Sequence, residues 1–174
     1  ALKVVHRDVS PHNIVISSEG AVKLIDFGVA RAANKSVHTA SGILKGKFPY
    51  MAPEQANAKT VDARTDVFAL GIVLWEMLVG RPLFRGKTDS ATLKAVRACD
   101  VLPPSSQDPI VPRAVDKIVL RALQKDPKDR YQSAAELREA LEEVMAGLPA
   151  PAIIPFFREL DDVPGLDDSG ELET

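Results

Sequence analysis

His6-Arg7-Asp8-Val9-Ser10-Pro11-His12-Asn13, followed by Asp26-Phe27-Gly28, is the stretch on which the reading of this chain turns. It sets an acid, Asp8, a few residues before an amide, Asn13, and brings a second acid at Asp26. Between them lie two short β-branched runs, Ile14 to Ser17 and Ala21 to Ile25, separated by Ser18-Glu19-Gly20. Strand, turn and strand in that order predict a hairpin. If Glu19-Gly20 form a two-residue loop, counting outward pairs Ser18 with Ala21, Ile16 with Lys23 and Asn13 with Asp26. The amide oxygen and the carboxylate would then stand side by side as a site for a hard cation.

Farther along, Val29 to Tyr50 is polar and without a clear period, which predicts a long functional loop. Thr65 to Val79 is apolar nearly all round and predicts a buried central helix ended by Gly80 and Pro82. Thr88 to Ala98 predicts an amphipathic helix, and the proline-rich stretch Leu102 to Pro112 a loop. Val115, Ile118, Val119, Ala122 and Leu123 then make one helical stripe after Pro112. Ser133 and Glu136 have the spacing of a capping box, opening a last helix to about Met145.

Taken together, these motifs resemble the C-terminal lobe of a protein kinase, from about Val4 to Met145. The resemblance rests on HRDVSPHN at 6–13, DFG at 26–28, APE at 52–54, DVFALG at 66–71 and Arg130 after Asp126-Pro127, in that order. YMAPEQ at 50–55 and Pro11 look most like bacterial serine/threonine kinases of the eukaryotic type. The implied fold is the α+β kinase fold, here mainly α with one small β-hairpin and without the sheet of the small N-lobe. The implied division is a partial kinase domain over 1–146 and a proline-rich, then acidic, disordered tail over 147–174.

The resemblance assigns Asp8 as the base that accepts the substrate hydroxyl proton, and Asn13 and Asp26 as ligands of Mg²⁺ bound with ATP. It makes Arg7 the receptor for a phosphate on the 29–50 loop, with Thr39 and Ser41 the leading acceptors and Ser36 a weaker one. Glu54 with Arg130, and Asp66, read as structural, and His6 as packing. The family has a lysine where this chain has Ser10, and a threonine where it has Lys47. Hydroxyl and ammonium have changed places, so Lys47 is read as supplying the phosphate-facing charge with Ser10 standing in for the threonine.

The function implied is phosphoryl transfer from ATP to serine or threonine hydroxyls of proteins. The competing reading is a pseudokinase or docking module that keeps the lobe without the chemistry. The small lobe that would enclose ATP has no counterpart here, so this chain by itself is expected to be inactive, a piece of a longer parent. Most of the helix expected before Val4 is also missing, which predicts bare apolar surface on the central helix.

Composition narrows the remaining classes. Apolar content of 45% with 26% charged residues suits a globular protein, and a net charge of −2 gives no case for nucleic acid or an anionic membrane. The longest apolar run, Val67 to Val79, contains Glu76 and is too short to span a bilayer. A lone cysteine, Cys99, suits a reducing, cytoplasmic setting, although the parent could be membrane-anchored. Gly80 with Gly86-Lys87-Thr88, and Gly42 to Lys47, have the wrong spacing for a P-loop. Ile153-Ile154-Pro155-Phe156-Phe157 before the acidic tail reads as linker rather than a docking motif.

Overall fold

The computed structural model describes residues 5–26 and 47–148, and all that follows concerns these. In chain order they form strands β1 (Ile14–Ile16) and β2 (Val22–Leu24), then helices α1 (Pro53–Ala56), α2 (Ala63–Val79), α3 (Asp89–Ala98), α4 (Pro104–Gln107), α5 (Arg113–Ala122) and α6 (Ala134–Ala146). The chain divides into a unit over 1–141 and a second over 142–174, of which the described part is the end of α6 and the two residues after it. The long loop expected over 29–50 falls outside the described residues except for its last four, where Phe48–Tyr50 form a single 3₁₀ turn. The tail from residue 149 likewise lies outside them.

α2 is the centre, as its sequence predicts. Asp62 caps its start by accepting from the Arg64 amide at 2.9 Å. Gly80 ends it in a left-handed conformation, φ 71°, its amide bonded to the Glu76 carbonyl. Val67, Phe68 and Ile72 are fully buried. The α5 stripe of Val115, Ile118, Val119 and Ala122, with Leu123, is also buried, and α5 packs against α2. At their crossing, a Cβ on Gly71 would meet Ala122 Cβ at 3.0 Å and Leu123 Cγ at 3.1 Å. Gly71→Val is therefore expected to destabilise the chain by about 1–3 kcal/mol through overpacking, read as a lower urea midpoint by fluorescence of the single tryptophan, Trp75.

The structure corrects three sequence expectations. The apolar surface expected bare on α2 is mostly covered, with Met77 its main exposed apolar residue. The exposed apolar residues cluster instead on the hairpin, where Val15, Ile16, Val22 and Ile25 lie open. Three-residue strands that pair only with each other have nothing to bury against. The stretch from Leu102 to Pro112 is not all loop: Pro104 sits in the first turn of α4, and the amide and hydroxyl of Ser105 both donate to Asp116. Proline at that position is already set for a helix.

The third correction bears on the site. The hairpin pairs Ile14 with Leu24, Val15 with Lys23 and Ile16 with Val22, one residue off the predicted register. Its loop has three residues, not two. Ser17 donates to the Ala21 carbonyl and Gly20 to the Ser17 carbonyl, both at 2.9 Å. Gly20 takes the left-handed position, φ 80°, that closes a three-residue turn. Asn13 thus falls opposite Ile25, whose amide donates to its carbonyl at 2.9 Å, and not opposite Asp26. Because side chains alternate along a strand, a shift of one removes the direct facing of Asn13 and Asp26.

Candidate active site

The segment 6–13 hangs from α2 by two backbone bonds. The amides of His6 and Arg7 donate to the two carboxylate oxygens of Asp66, at 2.7 Å and 2.8 Å. Asp66 lies in the first turn of α2, so the most buried helix of the fold sets the height of the turn. Burial pushes the Asp66 carboxyl above its usual range, and the two amides pull against that rise. His6 is buried, its Nε2 3.0 Å from the Ile25 carbonyl oxygen, which ties the turn to the hairpin.

Arg7 adopts φ 65°, a left-handed conformation that costs a non-glycine residue about 1–2 kcal/mol. It is held from both sides. Asp66 takes its amide, and Gln55 Nε2 donates to its carbonyl at 3.1 Å. Gln55 is itself fixed, since its Oε1 accepts from the Ala52 amide at 2.9 Å. Sequence reasoning missed Gln55: a polar residue in a short helix carries no sign that its amide will reach a carbonyl 48 residues back.

The turn that follows presents Asp8 beside a buried floor of Val9, Ser10 and Asn13. Asn13 Nδ2 donates to the Asp8 carbonyl at 2.7 Å. That bond commits the amide nitrogen and leaves its oxygen as the end available to a cation. Asp26 is exposed and left-handed, φ 57°, at the end of the hairpin. Two oxygen donors of this kind fit Mg²⁺, which takes one or two protein ligands and completes its shell with phosphate and water. Among the described residues no group of three His, Cys, Asp or Glu side chains could hold a metal ion.

Lys47 comes to the same place from a segment 39 residues farther along the chain. Its ammonium donates to Asp8 Oδ2. Lys47 precedes the Phe48–Tyr50 turn, which is pinned by Tyr50 Oη donating to Glu76 Oε2 at 2.8 Å. Burial and the Glu76 carboxylate both push the Tyr50 phenol upward, so it stays a donor. Asp8 and Lys47 line one shallow cleft with Arg7, Tyr50, Met51 and Gln55. The two side chains keep 11% and 33% of their exposure, so drying the two charges offsets much of their attraction. Stability is a weak reason for the pair to be there.

Ser10 does not meet them. Its hydroxyl is buried and makes no hydrogen bond among the described residues. Of the expected exchange, Lys47 reaches the acid, and the Ser10 hydroxyl makes no bond to either. Thr39, Ser41 and Ser36 lie outside the described residues, so Arg7 is placed without the phosphate acceptors expected for it.

Glu54 and Arg130 form the buried pair expected, with Nη2 to Oε2 at 2.7 Å. The Gly86 amide donates to Thr92 Oγ1 at 3.0 Å, so it is not free to cradle a phosphate, in keeping with rejection of the P-loop spacing. Burial pushes the Cys99 thiol up to about 11, and the thiol donates to the Leu123 carbonyl at 3.3 Å.

Residues 1–143 match the family model described as "Protein kinase domain". The chain is 44% identical over 141 residues to tyrosine-protein kinase MasK of Myxococcus xanthus, covering 81% of this chain and 22% of that protein. It is 46% identical over 154 residues to serine/threonine-protein kinase PknB of Mycobacterium tuberculosis, covering 86% and 24%. To PknB of Mycobacterium leprae it is 45% identical over 151 residues. The chain thus spans under a quarter of the length of these relatives.

Proposed function

Given that the chain belongs to the protein kinase family, we propose that it forms the catalytic floor of an enzyme that transfers the γ-phosphoryl group of ATP to serine or threonine hydroxyls of proteins. The observation that carries this reading is the Asp8 turn: a carboxylate at a cleft, hung from α2 by Asp66 and tied to the Asn13 amide. A kinase needs such placement because most of its rate comes from positioning and charge, not from covalent chemistry.

In the proposed step the substrate hydroxyl docks against Asp8, its oxygen in line with the γ-phosphorus. The O–P bond forms as the bond from the γ-phosphorus to the bridging oxygen breaks. ADP leaves with the electron pair, and the hydroxyl proton passes to the Asp8 carboxylate. Asn13 and Asp26 would hold Mg²⁺, which when bound neutralises charge on the phosphates. The relatives named as serine/threonine kinases and Pro11 favour a serine or threonine acceptor; the relative named as a tyrosine kinase favours the other.

The activity is proposed for a longer polypeptide in which a second lobe covers ATP, and the 174 residues alone are expected to transfer nothing. The docking-module reading draws on Ser10 and on Lys47 lying against Asp8. Asp8, Asn13 and Asp26 together speak against it, since a scaffold needs none of them.

The test is incubation of the full-length polypeptide with radiolabelled ATP, Mg²⁺ and a basic protein substrate, followed by phosphoamino acid analysis. Phosphoserine or phosphothreonine is the expected product. Phosphotyrosine alone overturns the acceptor, and no label on a folded protein overturns the enzyme in favour of the docking module.

A further inference from the structure

We infer that Lys47 is a catalytic residue: its ammonium, delivered across the cleft from a segment remote in sequence, grips the transferring phosphoryl group while bonded to the base. The inference rests on the reading of Asp8 as that base.

The geometry leaves little choice of place. A hydroxyl oriented by Asp8 lies within about 2.6–3.2 Å of its carboxylate. The reacting phosphorus lies about 3–3.5 Å from that hydroxyl. A cation already bonded to Asp8 Oδ2 is therefore within reach of the phosphoryl oxygens. An ammonium carries three N–H donors. One is taken by Asp8, and two remain for the oxygens on which charge develops. Such a donor acts where the transition state is most negative, and it is worth most in a partly dried cleft.

Lys47 is also held in place. Its carbonyl accepts from the Tyr50 amide at 3.2 Å, and Tyr50 is anchored through its hydroxyl to Glu76 on α2. The base and the cation thus both refer to one rigid helix, Asp8 through Asp66 and Lys47 through Tyr50 and Glu76. Arg7 also lines the cleft, but the position two residues after Asp8 supplies no such charge. Ser10, two residues after Asp8, is uncharged and buried, and its hydroxyl makes no hydrogen bond among the described residues. Its small side chain brings no second cation to the cleft that Lys47 enters.

The experiment is a substitution set in the full-length polypeptide: Lys47→Met, Lys47→Arg, Lys47→Thr, and the relocation Ser10→Lys with Lys47→Thr. Steady-state transfer is measured with each variant's urea midpoint as a check on folding. For Lys47→Met, kcat is expected to fall about 100- to 1,000-fold, with the KM for protein substrate within about threefold and the midpoint unchanged. Lys47→Arg keeps a cation and is expected to recover much of the loss. The relocated double variant is expected to exceed Lys47→Thr alone.

If the wild type transfers and Lys47→Met keeps kcat within about twofold of it, the inference fails and the reading of Asp8 stands. A rise in kcat for Lys47→Met also overturns it, and marks the contact as a plug on the base. A folded wild type that transfers nothing overturns the reading and the inference together.

Discussion

Replacing Arg130 by methionine is expected to cost about 3–5 kcal/mol, the largest single loss of stability in this chain. The guanidinium is 1% exposed and every arm is used. Nη1 donates to Glu54 Oε1 at 2.8 Å and to the Arg64 carbonyl at 2.9 Å; Nη2 donates to Glu54 Oε2 at 2.7 Å and to the Lys125 carbonyl at 3.1 Å. Nε donates to the Gln124 carbonyl at 2.7 Å, and the group lies 4.6 Å from the centre of the Phe68 ring. Methionine fills the volume and makes none of these bonds. Glu54 is left buried with the Thr65 hydroxyl, at 2.8 Å, as its remaining side-chain donor. The loss is mostly that of an uncompensated charge, so removing both partners, as Glu54→Leu with Arg130→Met, is expected to recover a large part of it.

The pH dependence distinguishes this cause from simple loss of packing. Burial pushes the Glu54 carboxyl up, but its bonds to Arg130 and that group's charge outweigh burial and hold it below its usual range. A depressed carboxyl in the folded state contributes stability above its unfolded pKa of about 4.3, and loses it as pH falls through the folded value. In Arg130→Met the pull of the guanidinium is gone, and only its own backbone amide and the Thr65 hydroxyl are left to oppose burial, so Glu54 moves upward. The variant's deficit against wild type is then expected to shrink from pH 7 toward the pH 4–5 region as Glu54 takes up a proton (roughly the ordinary carboxyl range). Urea unfolding followed by Trp75 fluorescence at each pH reads this directly. A deficit of constant size would point to packing instead.

The two classes of feature differ in how plainly the sequence announces them. α2, α5 and α6 are legible because their apolar runs or stripes are long and their end signals local: Gly80, Pro112 and Ser133 act on residues within a few positions. The Glu54–Arg130 pair and the Asp66 brace were legible only through motif order, since partners 76 and 60 residues apart leave no periodic trace. The hairpin register was misread by one because Gly20 suits the end of a two-residue or a three-residue loop, and nothing local decides between them. Gln55 and the Tyr50–Glu76 bond were invisible, being side chains that serve a backbone or a loop elsewhere. Lys47 lies between these cases. Its type showed that a charge had moved, but its contact with Asp8 needed the fold.

Asp8→Asn should separate chemistry from architecture more sharply than any other substitution. In the full-length polypeptide kcat is expected to fall by about 100- to 10,000-fold, the range for loss of a positioned general base. The architecture should persist, because the long-range bonds that hang the turn use backbone groups and Asp66. Asn13 binds the Asp8 backbone carbonyl, and Asp66 takes the amides of His6 and Arg7. The unfolding free energy from urea titration should therefore change by less than about 1 kcal/mol, the worth of the lost pair with Lys47. Single-turnover transfer, started from bound ATP, measures the chemical step apart from product release. Asp66→Asn offers the contrasting case. It removes one acceptor from the two amides and releases the strained Arg7, so stability and rate should fall together. Asp8 and Lys47 act on the same proton and phosphoryl group, so adding Lys47→Met to Asp8→Asn should cost far less than it costs the wild type. Full additivity of the two losses would mean that the cation works apart from the base, against the contact on which its role is inferred.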